Sequence, residues 1–214
     1  MKPLDSYDAV VLANGLFPVR PSVLDLLYRA RVLICCDGAA QNLAGTNLTP
    51  DYIVGDSDSL TDDVRSIWSD RIISDPDQNT NDLTKAIHFC IEKGHRSVLI
   101  VGATGLREDH TLGNISLLQY YQSILDSVAM VSDFGLFTPI TSTTRFNSVA
   151  GQQVSIFSLT PSCRLTFRGL RYPFENNCLN AWWQGTLNEA LEGEFFIELH
   201  NPGQIIVYQL WPES

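Results

Sequence analysis

Carboxylates, amides and a few cations recur in this chain at short intervals, repeatedly just after an apolar run. Asp37-Gly38-Ala39 follows Val32–Cys36, and Gly55-Asp56-Ser57-Asp58-Ser59 follows Tyr52–Val54. Asp77 to Lys85 (DQNTNDLTK) opens an amphipathic stretch, and Gly102 to His110 (GATGLREDH) follows Val98–Val101, with Asn114 shortly after. Hard oxygen donors of this kind suit Mg²⁺, which takes few protein carboxylates and fills its shell with phosphate oxygens. Asp56 and Asp58, two apart in a segment read as extended, project to one side and can bracket one ion. Asp37 and Asp82, at neighbouring strand ends, can reach the same crevice. Lys85 and Arg107 add the positive charge a polyphosphate needs, and helix N-termini add backbone N–H donors. The glycine loop is not a Walker A sequence, because no Gly-Lys-Ser/Thr follows it. A nucleotide bound here therefore rests on metal and arginine. Singly, each cluster has a plain structural reading as a turn, a helix-start carboxylate or a tight glycine bend. Their joint occurrence at strand ends favours a shared cation site.

The elements that must position these residues come in two kinds. Up to about residue 133, apolar runs at Ala9–Ala13, Val32–Cys36, Tyr52–Val54, Arg71–Ser74 and Val98–Val101 read as strands. Pro21–Ala30, Asn81–Lys93 and Leu112–Ile124 read as helices. Leu83, Ala86, Ile87, Cys90 and Ile91 recur at helical spacing and predict one buried face. Strands alternating with helices imply an α/β fold with a mostly parallel sheet flanked by helices, and ligands beyond the carboxyl ends of its strands. Beyond a boundary near residues 133 to 141 the segments are short and β-like: Val154–Leu159, Arg164–Phe167, Glu194–Leu199 and Gln204–Leu210. The expectation is an α/β domain over 1–134 followed by an all-β sandwich domain over 135–214.

Composition narrows the classes. A net charge of −10 argues against a nucleic-acid backbone as partner, which needs a basic face. All 16 aspartates lie at or before Asp133, which again points at the first part for cation chemistry. No apolar run is long enough to cross a bilayer, and the first residues lack the apolar core of a secretory signal. The five cysteines show no paired CxxC spacing and read as reduced residues of a cytoplasmic protein.

Asp-Gly-Ala, Gly-Asp-x-Asp-Ser, Asp-Gln-x-x-x-Asp-x-x-Lys-Ala and Gly-x-x-Gly-x-Arg-x-Asp-His, in this order, resemble the thiamine pyrophosphokinase family. So do Asn14-Gly15 after the first strand, Gly169-Leu170-Arg171-Tyr172, and Gly185-Thr186-Leu187-Asn188-Glu189. The resemblance implies an α/β catalytic domain and a β-sandwich domain that binds thiamine. It implies transfer of the terminal pyrophosphate of ATP to the thiamine hydroxyl with Mg²⁺, and a homodimer with active sites shared between subunits. Carried over by residue, it assigns Asp37, Asp56, Asp58 and Asp82 to the metal–triphosphate cluster. It puts Asn14, Gly38, Gln78 and Lys85 near the substrates, with Gly102, Gly105, Arg107 and Asp109 at the nucleotide loop. Tyr172 falls where the family stacks an aromatic residue on thiamine, and Asn188 falls in its Ser-Asn signature. That signature's serine is Leu187 here, so its hydrogen bond is missing or supplied by Thr186.

Thiamine is a permanent cation, and an aromatic face attracts such a charge by roughly 0.5–2 kcal/mol. Tyr172, Trp182 and Trp183 are the candidates. Adjacent tryptophans in a strand point to opposite faces, so one of the two is expected in the core. Asp82 could take the hydroxyl proton; His110, a lone histidine near a helix start, reads as a hydrogen-bonded structural residue. Two other readings remain open at this stage: a metal-dependent nucleotide hydrolase, and an idle thiamine or nucleotide sensor.

Overall fold

The computed structural model describes residues 3–212, which form two compact units that meet in sequence between Asp133 and Phe134. The first unit is built on six parallel strands: β1 (Ala9–Leu12), β2 (Leu33–Cys36), β3 (Tyr52–Gly55), β4 (Ile72–Ser74), β5 (Ser97–Val101) and β6 (Ser127–Val131). β1, β2 and β5 are buried at every position and, apart from Ser97, apolar throughout, as strands covered on both faces must be. The strands lie in the order β6-β5-β1-β2-β3-β4. The order reverses at β1, between β5 and β2, and such a switch point opens a crevice at the carboxyl ends of the strands.

Four helices connect them: α1 (Pro21–Tyr28), α2 (Asp62–Ile67), α3 (Asp82–Glu92) and α4 (Glu108–Ile124). Pro21 sits in the first turn of α1, where its missing N–H costs nothing. The carboxylate of Asp133 accepts the N–H groups of Val19 (2.9 Å) and Arg20 (3.0 Å) at the head of this helix. The last aspartate of the chain is thus a cap delivered from more than a hundred residues away. The predicted face of α3 is buried except at Ile91, and Thr84, Lys85 and Phe89 are buried as well. Thr84 and Tyr121 share a hydroxyl hydrogen bond of 2.8 Å that ties α3 to α4.

Several predicted bounds shift. α4 begins at Glu108 rather than Leu112, so Asp109 and His110 stand in a helical first turn. Helix α2, capped by the Thr61 hydroxyl at 3.4 Å, and strand β6 were not predicted; six residues carry too little periodicity to register.

The second unit adds eight antiparallel strands: β7 (Gly135–Ile140), β8 (Thr144–Asn147), β9 (Gln153–Ser158), β10 (Arg164–Arg168), β11 (Phe174–Cys178), β12 (Asn188–Glu189), β13 (Glu194–Leu199) and β14 (Ile205–Leu210). One layer runs β12-β9-β14-β7 and the other β11-β10-β13-β8. Alternate side chains such as Val154, Ile156, Leu165, Ile197 and Val207 form the core. The expected fold class, α/β followed by a β-rich part, is the one found. β7, β8, β11 and β12 escape the sequence pattern because they are short, polar or interrupted by Pro139. All five cysteines are free, and four are buried. Among the described residues no helix is long and apolar enough to cross a membrane.

Phe146 and Phe195 stack at the centre of the second unit, 5.0 Å apart and within 8° of parallel, both fully buried. Phe195→Ala is expected to cost about 3–5 kcal/mol, and Phe195→Leu less than half of that. Urea denaturation followed by tryptophan fluorescence measures both; equal, small losses would show that this pair is not the keystone of the core.

Candidate active site

The crevice at the strand-order reversal is a cleft of about 480 Å³. The segments after β1, β3, β4 and β5, the last residue of β2 (Cys36) and the starts of α3 and α4 line it. Asn14, Asp56, Gln78, Asp82, Lys85 and Arg107 are all in its wall, as are Asn81, His110 and Asn114. The clusters read from the sequence therefore converge. Asp37, Gly38, Asp58, Gly102, Gly105 and Asp109 do not line the cleft directly. Gly38 is buried in the 3-10 turn Asp37–Leu43, where a β-carbon would come within 2.7 Å of Asn14 Nδ2.

Asp37 lies beneath the wall and is 1% exposed. Its Oδ2 accepts the Ser59 N–H at 3.0 Å, while its Oδ1 is buried with no hydrogen-bond partner. A methyl group on Gly55 would lie 2.6 Å from Asp37 Cβ and 3.3 Å from Asp82 Oδ1. The bare backbone of Gly55 thus leaves room for two carboxylates to approach. Burial raises the Asp37 pKa above the ordinary carboxylate value. The Ser59 N–H works against this, and the charges of Asp82 and Asp56 add to it. An orphaned carboxylate oxygen beside two further acids is a donor set that fits a hard divalent cation. Among the described residues no three His, Cys, Asp or Glu side chains are gathered into a ready-made cage. Mg²⁺ suits that arrangement, since it takes much of its shell from phosphate and water.

The extended reading of Asp56–Asp58 needs correcting. β3 ends at Gly55, Ser57 has a left-handed φ of +70°, and the Asp58 N–H folds back to Asp56 Oδ1 at 3.1 Å. That bond and the Gln78 amide at 3.2 Å lower the Asp56 pKa. Asp58 is exposed. Arg65 of α2 steadies the turn by donating to the carbonyls of Ser57 and Leu60.

The two cations of the cleft sit differently. Lys85 is 3% exposed and lies 3.3 Å from Asp82 Oδ1, a buried counter-charge within the cluster. Arg107, just before α4, is exposed and grips Asp109 through two bonds of 3.1 and 2.6 Å. The pair holds the Asp109 carboxyl below its usual range. Gly102 (φ +68°) and Gly105 (φ +88°) shape the loop between β5 and α4. Asn114 anchors that loop by donating to the Ala103 carbonyl at 2.9 Å. His110 is exposed, and its backbone N–H goes to Asp109 at 2.9 Å.

A second cavity of about 370 Å³ lies in the β-rich unit, between Tyr172, Phe167, Phe174 and the segment Gln184–Asn188. Tyr172 is 61% exposed, its ring free to meet a ligand. Asn188, 6% exposed, accepts the Tyr172 N–H at 3.0 Å and donates to the Tyr172 carbonyl at 2.8 Å. Asn188 also accepts the Glu189 N–H at 2.9 Å, and both it and Thr186 line the cavity. Thr186 gives its hydroxyl to the Trp183 carbonyl at 2.7 Å and so closes a turn. The tryptophans are not in a strand. Trp182–Gly185 is a 3-10 turn, and both rings are exposed, at 40% and 74%. A turn that short has no period by which to be read in advance.

Comparison with known proteins agrees with this geometry. Residues 23–128 match the family model described as "Thiamin pyrophosphokinase, catalytic domain", and residues 135–208 match "Thiamin pyrophosphokinase, substrate-binding domain". A rice (Oryza sativa subsp. japonica) protein named Thiamine pyrophosphokinase 1 is 28% identical, with 82% of this chain and 76% of its own length covered. Among solved structures, a thiamin pyrophosphokinase from Candida albicans superposes with a TM-score of 0.80 at 19% identity, covering 94% of this chain and 89% of its own. A family protein from Enterococcus faecalis gives 0.80 at 20% identity, covering 96% and 99%. At these identities the structural matches speak for the fold.

The raised Asp37 pKa carries a stability consequence. An acid whose folded pKa is raised costs stability when ionised, fully above that pKa and not at all below the unfolded value of about 3.9. Asp37→Asn should therefore raise Tm at pH 7. The gain should shrink as pH falls toward 4. Calorimetry across that range tests it, and a variant less stable than the parent at pH 7 would contradict the carboxylate-strain account.

Proposed function

This chain belongs to the thiamine pyrophosphokinase family, and on that premise we propose that it transfers the pyrophosphoryl group of ATP to the hydroxyl of thiamine, giving thiamine diphosphate and AMP. The observation that carries the reading at the level of chemistry is the orphaned Asp37 oxygen beside Asp82 and Asp56 at the strand-order switch. Asp37, Asp56, Asp58 and Asp82 would hold Mg²⁺. The ion, when bound, supplies charge neutralisation on the phosphate oxygens.

The chain's own residues do the rest by position. Lys85, buried against Asp82, limits the repulsion within the acid cluster. Arg107 can leave Asp109 for a phosphate, since an exposed pair exchanges one anion for another at small cost. Gln78 and Asn14 orient substrate groups at the rim, and the Gly102–Gly105 loop brings backbone close to the nucleotide. The thiamine hydroxyl attacks the β-phosphorus in line, the bond to the α-phosphate oxygen breaks, and AMP carries away that electron pair. The hydroxyl proton passes to Asp82, whose carboxylate opens on the cleft. Thiamine stacks on Tyr172, whose backbone Asn188 fixes. We read the protein as cytoplasmic and as a homodimer, the acid cluster of one subunit working with Tyr172 of its partner.

Incubation with ATP, Mg²⁺ and thiamine tests the reaction. AMP should form only when thiamine is present, and Asp56→Asn should lose at least about 100-fold in turnover while staying folded. AMP formed without thiamine would make the chain a hydrolase, and no AMP at all would make it a sensor.

Mixing tests the shared site. Asp82→Ala and Tyr172→Ala, each nearly inactive, are unfolded and refolded together. Half the dimers should be mixed, each with one intact site, restoring roughly a quarter of parent activity. No recovery from a verified mixed dimer would assign each site to a single chain.

A further inference from the structure

Leu187 has a φ of +59°, in the left-handed region that a leucine adopts only at a cost. It gains nothing from burial in return, being 70% exposed. Its neighbours impose the conformation. Thr186 is fixed by two bonds to the Trp183 carbonyl, through its hydroxyl at 2.7 Å and its N–H at 3.3 Å. The Leu187 N–H donates to Ser155 Oγ at 3.3 Å, and Asn188 pairs with Val154 across the sheet while gripping Tyr172. Glycine or asparagine would accept this backbone readily. Folding therefore offers no reason for a leucine here.

What the side chain does have is a position. It forms part of the wall of the cavity that holds Tyr172, Phe174 and Pro173. Strain that the surrounding structure enforces, and that folding does not need, marks residues kept for a ligand. We infer that Leu187 is a specificity-determining residue, whose isobutyl group forms an aliphatic wall against the ring system of the alcohol substrate held beside Tyr172. The inference rests on that cavity being the thiamine site. The occupant it selects is a flat, methyl-bearing heteroaromatic cation, which presents its face to the tyrosine and an apolar edge to the leucine. A polar residue in this place would keep that edge hydrated and weaken the preference.

Three substitutions separate side chain from backbone. Leu187→Gly and Leu187→Asn both accept the left-handed backbone and remove the wall, whereas Leu187→Met keeps an apolar side chain. The expected result is a KM for thiamine raised about tenfold in Leu187→Gly and Leu187→Asn. The KM for ATP should be that of the parent, and Tm in Leu187→Asn should be no lower. Leu187→Met should stay within about threefold of the parent for thiamine. An unchanged thiamine KM in both Leu187→Gly and Leu187→Asn overturns the inference, whether Tm rises or falls. Tyr172→Ala, measured alongside, separates this from its premise. If Tyr172→Ala raises the thiamine KM and the leucine variants do not, the leucine inference alone fails. If none of them does, the cavity is not the thiamine site and both fail together.

Discussion

Three carboxylates, Asp37 and Asp56 just after adjacent strands and Asp82 in the first turn of α3, stand close together with fewer donors than their charge calls for, and much of the first unit can be understood as the means of keeping them there. Asp37 is buried with one oxygen unpaired, Asp82 leans on a lysine that is itself buried, and Asp56 takes the Asp58 N–H and the Gln78 amide. Like charges gathered in this way oppose folding. The opposing stability comes from a sheet whose central strands are apolar on both faces, so the site is held by a core that does not share its chemistry. A cation would turn the same arrangement from a liability into an attraction.

Local devices then fix each acid. Gly55 has no side chain because the space beside it belongs to Asp37 and Asp82. Arg65 holds the Ser57–Leu60 turn through two carbonyls, and Ser59 returns its N–H to Asp37. Asn81 accepts the Thr84 N–H at 2.9 Å and so starts α3 at the residue that puts Asp82 in its first turn. These bonds are individually modest, about 1 kcal/mol each, but they determine direction more than energy.

The β-rich unit shows the same division of labour on a smaller scale. Its stability lies in the stacked Phe146–Phe195 pair and the alternating strands around it. Beside its cavity, Asn188 bonds the Tyr172 backbone in both directions and also accepts the Glu189 N–H at 2.9 Å, while the Tyr172 side chain stays exposed.

The sequence by itself determined the fold class, the family and the identity of the acids. Apolar runs of β-branched residues and the helical period of α3 are local signals, and the spacing of Asp37, Asp56, Asp58 and Asp82 survives in one dimension. Helix α2, less than two turns long, and β12, of two residues, leave no period to read. The tertiary structure alone decided which of these residues meet, and in what state. The backward turn at Asp58, the burial of Lys85, the capping of α1 by Asp133 and the left-handed Leu187 each depend on distant chain. A side chain's partners and its exposure are set by what folds against it, which no local pattern encodes.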